Sequence, residues 1–296
     1  MSTGDGEPIE IAGVRLSSPD KVLYPEQDIT KRDLAEYYVA VADRMLPLVA
    51  ERPITLVRCP TGREKKCFYQ RHAGAGVPEQ LGQIEIQGFE ASGAYLFIRD
   101  LGGLIALVQM GVLEIHPWNV RVDRTDRPDQ VIFDLDPGEG LAFAEVASAA
   151  HDIRAKLNEV GLCGFLKTTG GKGLHIVAPI RREHDWAEVK RFAKQLGDRL
   201  SKAEPDRFLT RQSKAERRGR IFIDYLRNDP TSTAVAPFST RSRPGAPVSL
   251  PISWDELRPG FDPGALTVKT VPGRLAKGAA DPWAEMETLR RPLPGL

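Results

Sequence analysis

The chain contains little cysteine. Its 296 residues include only Cys59, Cys67 and Cys163, an odd number without a Cys-x-x-Cys pair. Both a disulfide framework and a zinc ribbon need paired cysteines, so the count argues against each of them. We therefore expect all three to be small buried apolar residues, as free cysteines usually are. A reducing cytosol is the default compartment for such a chain.

Long hydrophobic runs are also missing. The longest apolar stretch, residues 101–113, contains two glycines and a glutamine, and it is shorter than the roughly 18 to 20 residues that cross a bilayer. The first ten residues include acidic side chains and no apolar segment, unlike a secretory signal. We accordingly expect no membrane partner and a cytoplasmic location.

Net charge is almost absent too, because 41 Lys and Arg residues face 40 Asp and Glu residues, which gives +1. Any polyanion partner must therefore meet a local cluster of basic residues. Residues 211–243 hold eight basic against three acidic side chains, and residues 52–71 hold six against one, together with Phe68 and Tyr69. Basic side chains beside exposed aromatic rings suit phosphates and stacked bases. Each run alone is more typical of a solvated loop.

The apolar periodicity predicts a mixture of helices and strands. Thr30 is placed to cap a helix that starts at about residue 31, and further helices are expected over 101–113, 141–160 and 185–200. Short β-like runs are expected at 54–59, 67–70, 84–87, 94–98, 113–118, 130–136, on both sides of a glycine-rich turn within 164–180, and at 220–226. These elements do not alternate as βαβ units, which favours an α+β fold over a doubly wound sheet.

Three aspartates interrupt apolar strands. Asp134 and Asp136 are two residues apart in QVIFDLD, so on a strand they point to the same side. Two adjacent carboxylates repel each other unless a cation compensates, and a divalent ion would do so. The alternative for this pair is a solvated turn before Pro137. Asp224 in IFIDYL alone fits an ion pair with Arg227, but the three together favour two metal ions about 3.5 to 4 Å apart.

The segment TTGGKGLH, residues 168–175, is a candidate anion site. Its glycines let backbone N–H groups approach a phosphate, and Lys172 adds a charge. The spacing is not that of a Walker A loop, and a strand rather than a helix follows. His175 should share a face with Gly173, where it can donate to a phosphate oxygen. A lone glycine-rich hairpin is usually only a turn, so this segment is a weak signal by itself.

In this order, DLD, TTGGKGLH and the isolated Asp224 resemble the three motifs of the archaeo-eukaryotic primase superfamily. SPDKVLYP (18–25), TK (30–31), EIHPW (114–118) and APFSTR (236–241) resemble more closely the polymerase module of bacterial ligase D. The resemblance extends from about residue 9 to residue 283. It implies an α+β primase-polymerase core of two β-sheets flanked by helices, with the active site in the cleft between them. It also implies one catalytic domain over 9–290, with a DNA- and 5′-phosphate-binding lobe at 9–110, a core at 111–245 and a C-terminal extension at 246–296.

The resemblance further implies a nucleotidyltransferase that extends primers and fills gaps in non-homologous end joining. Asp134, Asp136 and Asp224 would bind two divalent metals, Mn²⁺ or Mg²⁺. An NTP or dNTP, with ribonucleotides preferred, would be held by His116, Thr169, Gly170, Lys172, His175 and Arg241.

By the same resemblance, the DNA partner is a gapped or broken end with a 5′-phosphate. The phosphate would be bound by Ser18, Lys21 and Lys31, and other parts of the DNA would contact Phe68, Tyr69, Arg217 and Arg220. Ku and a DNA ligase are the expected protein partners, and the bacterial nucleoid is the expected site of action.

Two other functions remain open at this stage. VIFDLD also resembles the start of haloacid-dehalogenase phosphatases, but those carry Thr or Val where this chain has Gly138, and their motif lies near the N-terminus. A DNA-end-binding module without catalysis would use the lysines and the aromatic pair alone. The presence of all three aspartates argues against that module.

Overall fold

The computed structural model describes residues 6–87, 93–213 and 215–295. Within them the chain is a mixed α and β protein, as expected, with several sheets and five α-helices. The helices are α1 (Lys31–Val49), α2 (Leu101–Gln109), α3 (Phe143–Glu159), α4 (Trp186–Ala203) and α5 (Val271–Ala276). None of the helices in the described ranges is long and apolar enough to cross a membrane.

The strands of the described residues are short. They are β1 (Ile9–Ile11), β2 (Val14–Leu16), β3 (Val22–Tyr24), β4 (Ile29–Thr30), β5 (Ile54–Arg58), β6 (Phe68–Gln70), β7 (Leu81–Ile84), β8 (Tyr95–Ile98), β9 (Val112–Pro117), β10 (Gln130–Pro137), β11 (Phe165–Thr168), β12 (Leu174–Pro179), β13 (Phe208–Leu209), β14 (Ile221–Asp224) and β15 (Pro251–Ile252). Single turns of 3₁₀ helix lie at Pro25–Gln27, Ala215–Arg217, Leu226–Asn228, Trp254–Glu256 and Pro263–Ala265.

The predicted elements are present, with shifted ends. The helix expected over 101–113 ends at Gln109, because Gly111 takes a positive φ of 73° and turns the chain into β9. The strand expected at 84–87 lies earlier, at Leu81–Ile84, and residues 88–92 fall outside the described ranges. Helix α1 starts as the sequence indicates, because Thr30 and Asp33 form a reciprocal capping box.

Two compact units divide the described chain. The first contains the described residues up to Trp118, together with Val235–Ser249 and Gly264–Ala280. Its main sheet pairs β5 with β6, β8 and β9, and β8 with β7, all antiparallel. The buried residues of α1 and α2 supply much of its core. The expected lobe, core and extension stay a prediction, because compactness does not assign a role to a segment.

Cys59 and Cys67 form a disulfide in the first unit, so the expectation of three free cysteines is wrong for this pair. In the antiparallel hairpin of β5 and β6, Arg58 lies opposite Phe68. The next pair outward is therefore Cys59 and Cys67, which face each other across the hairpin. An even count or a short spacing is not needed when strand register makes two cysteines meet. Cys163 is free and half-buried.

The second unit contains Asn119–Ala234, Leu250–Pro263 and the described residues from Asp281 onward. Its six-stranded sheet has the order β13-β14-β10-β12-β11-β15, and within it only β13 and β14 pair in parallel. Helix α4 packs closely on one face, where a Cβ at Gly197 would lie 3.4 Å from Ile223. Residues next to Ile223 point to the opposite face, and Asp224 is one of them.

Candidate active site

The three aspartates converge on the sheet of the second unit. Asp134 on β10 lies directly opposite Asp224 on β14, and Asp136 is two residues along β10. All three therefore project from the same face. One carboxylate oxygen of each lies within 4.8 Å of the others, an arrangement that could hold a metal ion. The convergence predicted from the sequence is thus present.

Two further charged or titratable side chains continue this row across the sheet. His175 on β12 pairs in register with Asp134, and Lys167 on β11 pairs with His175. Cross-strand pairs share a face, so Lys167, His175, Asp134 and Asp224 form one line across four strands. Lys167 and His175 are only 1% and 3% exposed. Sequence reasoning missed Lys167. A usable signal was that Lys167 lies on the strand that leads into the glycine-rich turn and alternates there with Thr168, so the two side chains point to opposite faces.

Charged neighbours surround Asp134. The Nε2 atom of His175 lies 3.2 Å from Asp134 Oδ1, and Arg227 Nε lies 3.1 Å from Oδ2. Arg227 also reaches Asp224, with 3.2 Å between Nη2 and Oδ2. Burial alone would raise the pKa of Asp134, but its close contacts with His175 and with the charged Arg227 bring this pKa below its usual range. The pairing of Asp224 with Arg227, which the sequence allowed as an alternative to metal, therefore coexists with the carboxylate cluster.

The other groups of the cluster titrate differently. Burial, and then the charge of Asp134, raises the pKa of Asp136 to about 6. Burial likewise raises the pKa of Asp224, although Arg227 opposes the shift. Burial, and then Lys167, lowers the pKa of His175 to about 4, so its imidazole is neutral near pH 7. The aspartates therefore repel one another when no cation is bound.

The cluster fits a divalent cation by a second observation. Asp134 Oδ1 and His175 Nδ1 are buried and have no hydrogen-bond partner among the described residues. The approach of His175 Nε2 to Oδ1 is an ion-pair distance without the alignment of a hydrogen bond. Buried polar atoms usually have hydrogen-bond partners, and a carboxylate oxygen that has none and lies beside two other carboxylates is the kind of ligand that Mg²⁺ and Mn²⁺ prefer.

The glycine-rich turn joins β11 to β12 beside these aspartates. Gly170 has a positive φ of 65°, and a Cβ at Gly173 would lie 2.6 Å from the carbonyl oxygen of Leu135 on β10. The buried hydroxyl of Thr169 donates to the carbonyl of Gly173 across the turn at 3.1 Å. Lys172 is exposed at the tip. The turn is therefore fixed against the strand that carries Asp134 and Asp136.

The loop that carries Arg217 and Arg220 is tied to the end of β10. Gly138 donates its backbone N–H to the Arg220 carbonyl at 2.8 Å, and a Cβ at Gly138 would overlap the Arg217 carbonyl. The Arg217 guanidinium lies 3.9 Å from the ring centre of Phe222. Its charge also opposes the raised pKa values of Asp136 and Asp224, after the larger effect of burial. Gly138 is thus required by packing against this loop.

His116 and Arg241 meet in the first unit around a carboxylate that sequence reasoning missed. Glu114 Oε2 lies 2.9 Å from His116 Nε2 and accepts from Arg241 Nε at 3.0 Å. Its other oxygen accepts from the backbone N–H and the hydroxyl of Ser242, at 2.9 and 2.7 Å. Burial would raise the pKa of Glu114, but these partners lower it to about 2. The signal was available, because Glu114 and His116 are two residues apart on β9, as Asp134 and Asp136 are on β10.

Ser18, Lys21 and Lys31 lie close together in the first unit. The Lys21 N–H donates to the Ser18 carbonyl at 3.1 Å, and the Lys31 N–H donates to the Lys21 carbonyl at 2.9 Å. Lys31 is only 6% exposed, and its ammonium donates to the Ser17 carbonyl at 2.7 Å. Lys21 is half-buried. In this structure Lys21 is therefore the more accessible of the two lysines.

Phe68 and Tyr69 follow the disulfide on β6 and are among the most exposed large apolar residues of the described chain, at 40% and 74%. Successive strand residues point to opposite faces, so the two rings cannot lie side by side on one face. Arg58, opposite Phe68 on β5, places its guanidinium 5.5 Å from the centre of that ring. The sequence expectation of an exposed aromatic pair beside basic residues agrees with these positions.

Comparisons with known proteins agree with this geometry. The model of the LigD primase-polymerase domain matches residues 30–283. The chain is 37% identical over 281 residues to the multifunctional non-homologous end joining protein LigD of Pseudomonas aeruginosa, covering 95% of this chain and 34% of that protein. The corresponding protein of Mycolicibacterium smegmatis is 32% identical over 246 residues, covering 82% and 32%. The chain thus spans about a third of the length of these curated relatives.

A solved structure is similar over nearly the whole chain. The polymerase domain of Mycobacterium tuberculosis ligase D, in complex with DNA, matches with a TM-score of 0.86 and 31% identity, covering 93% of this chain and 98% of that one. Together with the family match over most of the sequence, it establishes that the chain belongs to the LigD primase-polymerase domain family, a family of DNA-directed nucleotidyltransferases.

Proposed function

We propose that this chain is a template-directed nucleotidyltransferase that extends primers and fills gaps when broken DNA ends are joined. The observation that carries the proposal is the convergence of Asp134, Asp136 and Asp224 on one sheet face, beside a fixed glycine-rich turn. The DNA in the similar ligase D polymerase structure and the names of the end-joining relatives support the substrate class.

The three aspartates would hold two divalent ions, Mn²⁺ or Mg²⁺. Bound there, the ions would supply activation of the primer 3′-oxygen and stabilisation of the charge on the departing pyrophosphate. Arg227 holds Asp134 and Asp224 in place through its two ion pairs. Lys167 and the neutral His175 extend this row on the same face of the sheet.

The incoming triphosphate would lie against the glycine-rich turn. Thr169 and Gly170 offer backbone and hydroxyl groups, Lys172 offers an exposed charge, and His175 offers a buried ring nitrogen without a hydrogen-bond partner among the described residues. His116 and Arg241, held by Glu114, would contact the nucleotide as well. We propose a preference for ribonucleotides, because a well-placed donor or acceptor can read a 2′-hydroxyl.

The DNA would be bound at three groups of residues. Lys21, with Ser18 and Lys31, would bind the downstream 5′-phosphate, and Phe68 and Tyr69 would pack on bases or sugars. Arg217 and Arg220 would meet the template strand. Ku and a DNA ligase are the proposed partners, in the cytoplasm at the bacterial nucleoid.

The test is primer extension on a gapped duplex with a 5′-phosphate, in Mn²⁺, with ribo- and deoxynucleotides. We expect the wild type to extend the primer and Asp134→Ala to lose about a thousandfold in rate. Asp126→Ala is the matched control, because that carboxylate is 70% exposed in the same unit. Equal products from wild type and Asp134→Ala would show the proposal to be wrong.

The two other candidate functions are not retained. Family membership decides against a haloacid-dehalogenase phosphatase, and the packing of Gly138 against the Arg217 loop explains why that position is glycine. A module that only binds DNA ends has no use for three carboxylates that repel one another in a buried cluster.

A further inference from the structure

In the second unit, basic side chains line a cavity of about 940 Å³ beside α4. One wall is the C-terminal half of α4, and another is formed by β13 and the residues that follow it. The charged and aromatic side chains that matter here are Lys194, Asp198, Lys202, Arg211, Arg220 and Tyr225. We call this cavity the α4 groove.

The α4 groove brings together several basic side chains that have no acidic partner among the described residues. Elsewhere many basic side chains have an acidic partner, as Arg182 has Asp123 and Arg207 has Asp152. In the groove, Lys202, Arg211 and Arg220 form no ion pair with any described residue. Lys202 and Arg211 are exposed.

The acidic side chains of the groove do not neutralise these cations. Asp198 already pairs with Lys194 and accepts from the Thr210 hydroxyl. Glu216 is the remaining acidic residue of the lining. The three unpaired cations therefore outnumber the carboxylate that is left, and an anion with several charges would be favoured in this cavity.

The groove also offers an aromatic ring. Tyr225 is half-exposed on its wall, near the buried apolar residues Phe208 and Leu209. The ammonium of Lys194 lies 5.9 Å from the centre of the Tyr225 ring. Proteins bind single-stranded nucleic acid with cationic side chains placed along its phosphate backbone and with an aromatic ring on which a base can stack.

We propose that the α4 groove binds single-stranded DNA, specifically an unpaired stretch of the template strand. Arg220 belongs both to the groove and to the loop proposed to meet the template. Tyr225 follows Asp224 in the sequence but lies near Lys194 of α4, on the side of the sheet opposite the carboxylates. A duplex keeps its base faces inside the stack, so an aromatic wall favours an unpaired strand. The assignment to the template rests on the proposed function, whereas binding of single-stranded DNA does not.

The experiment measures the anisotropy of a labelled 20-nucleotide single strand, without metal or triphosphate, from 50 to 200 mM salt. The groove variant is Lys202→Gln with Arg211→Gln. We expect its Kd to rise about tenfold and the slope of log Kd against log salt to fall by about 1.4, because each lost phosphate contact removes about 0.7. Tyr225→Ala should weaken binding about fivefold or more, with an unchanged salt slope.

The matched control is Arg191→Gln with Arg199→Gln. Both arginines are exposed on α4, outside the groove lining, so the same charge is removed from the same helix. We expect the control Kd to stay within twofold of the wild type, and far-UV circular dichroism to verify folding of each variant. An unchanged Kd in the groove variant, or an equal loss in the control, would overturn the proposal.

Two further results separate this inference from the proposed function. Saturable binding of ATP that is lost in the groove variant, with single-strand binding intact, would make the groove a nucleotide site and overturn the proposal. A chain that does not extend any primer would remove the proposed function, yet the binding comparison would still be decisive for the groove.

Discussion

Two buried acidic sites, a single carboxylate in the first unit and a cluster of three in the second, are built in opposite ways. Glu114 in the first unit accepts from Arg241 and Ser242 and contacts His116, and its partners lower its pKa to about 2. Asp136 in the second unit lies among other carboxylates, and its pKa is raised to about 6. A carboxylate whose two oxygens both accept hydrogen bonds stabilises the fold. A cluster that lacks enough partners is suited to bind a cation from outside.

The largest expected effect tests the cluster of Asp134, Asp136 and Asp224. Asp224→Asn keeps the shape of the side chain and removes one of three charges, so metal affinity and charge stabilisation should both fall. We expect primer extension to decrease about a thousandfold. Rates in Mn²⁺ titrations measure the effect, with Asp229→Asn as a nearby control outside the cluster. A loss shared by both variants would not fit a role specific to the cluster.

The next effect tests the Glu114 site, in which both carboxylate oxygens have partners. In Glu114→Gln, Arg241 loses its charged partner, so the free energy of unfolding should fall by about 3 kcal/mol. Because Glu114 holds His116 and Arg241, we also expect a raised KM for the triphosphate with a smaller change in kcat. Urea unfolding and steady-state kinetics measure the two effects. Glu64→Gln, at a carboxylate that is 51% exposed, should change stability by no more than about 0.5 kcal/mol.

The contrast should also be visible as a pH dependence without metal. The folded-state pKa of Asp136 is above its unfolded value, so its neutral form stabilises the fold below about pH 4, and this stabilisation is lost as the pH rises to about 6. Relative to wild type in EDTA, Asp136→Asn should therefore gain about 2 kcal/mol of stability between pH 4 and 7. Urea unfolding at each pH measures the gain.

Glu114 gives the opposite sign, because its folded-state pKa is depressed. Its contribution is present above about pH 4.5 and is lost as the pH falls towards 2.

Adding Mn²⁺ should raise the unfolding temperature of the wild type but not of Asp136→Asn. An equal rise in both proteins would show that the ion binds elsewhere.

The smallest expected effect concerns the disulfide of the first unit. Cys59 and Cys67 are separated by eight positions, and a loop of that size contributes about 2 kcal/mol by restricting the unfolded chain. Cys67→Ser, or a reductant with the wild type, should lower the unfolding free energy by this amount. Cys163→Ser, at the free cysteine, is the control. No difference between oxidised and reduced protein would show that the crosslink is not formed in solution.

The sequence was informative where one strand carried the whole signal. Asp134 and Asp136 follow from alternation on β10, and the cap at Thr30 follows from local residue types. It was less informative where two distant strands had to be aligned. The pairing of Cys59 with Cys67 and the row from Lys167 to Asp224 depend on strand register, which composition and spacing do not determine.

Arg227 shows a second reason for the difference. Its proximity to Asp224 in sequence suggested an ion pair in place of a metal site, yet one guanidinium contacts both Asp134 and Asp224 while Asp136 stays under-partnered. For Glu114, the spacing to His116 on β9 indicates that the two side chains share a face, but the contacts with Arg241 and Ser242 depend on a segment more than 120 positions away.

The pairing of β10 with β14 also sets an order of assembly. Asp224 lies 90 positions after Asp134 in the sequence, so a nascent chain exposes the first two aspartates long before the third leaves the ribosome. Contacts between such distant segments form late, because the loop between them must close first. The complete carboxylate cluster therefore exists only once β14 has joined the sheet, and a chain whose synthesis stops before residue 224 lacks this three-carboxylate centre.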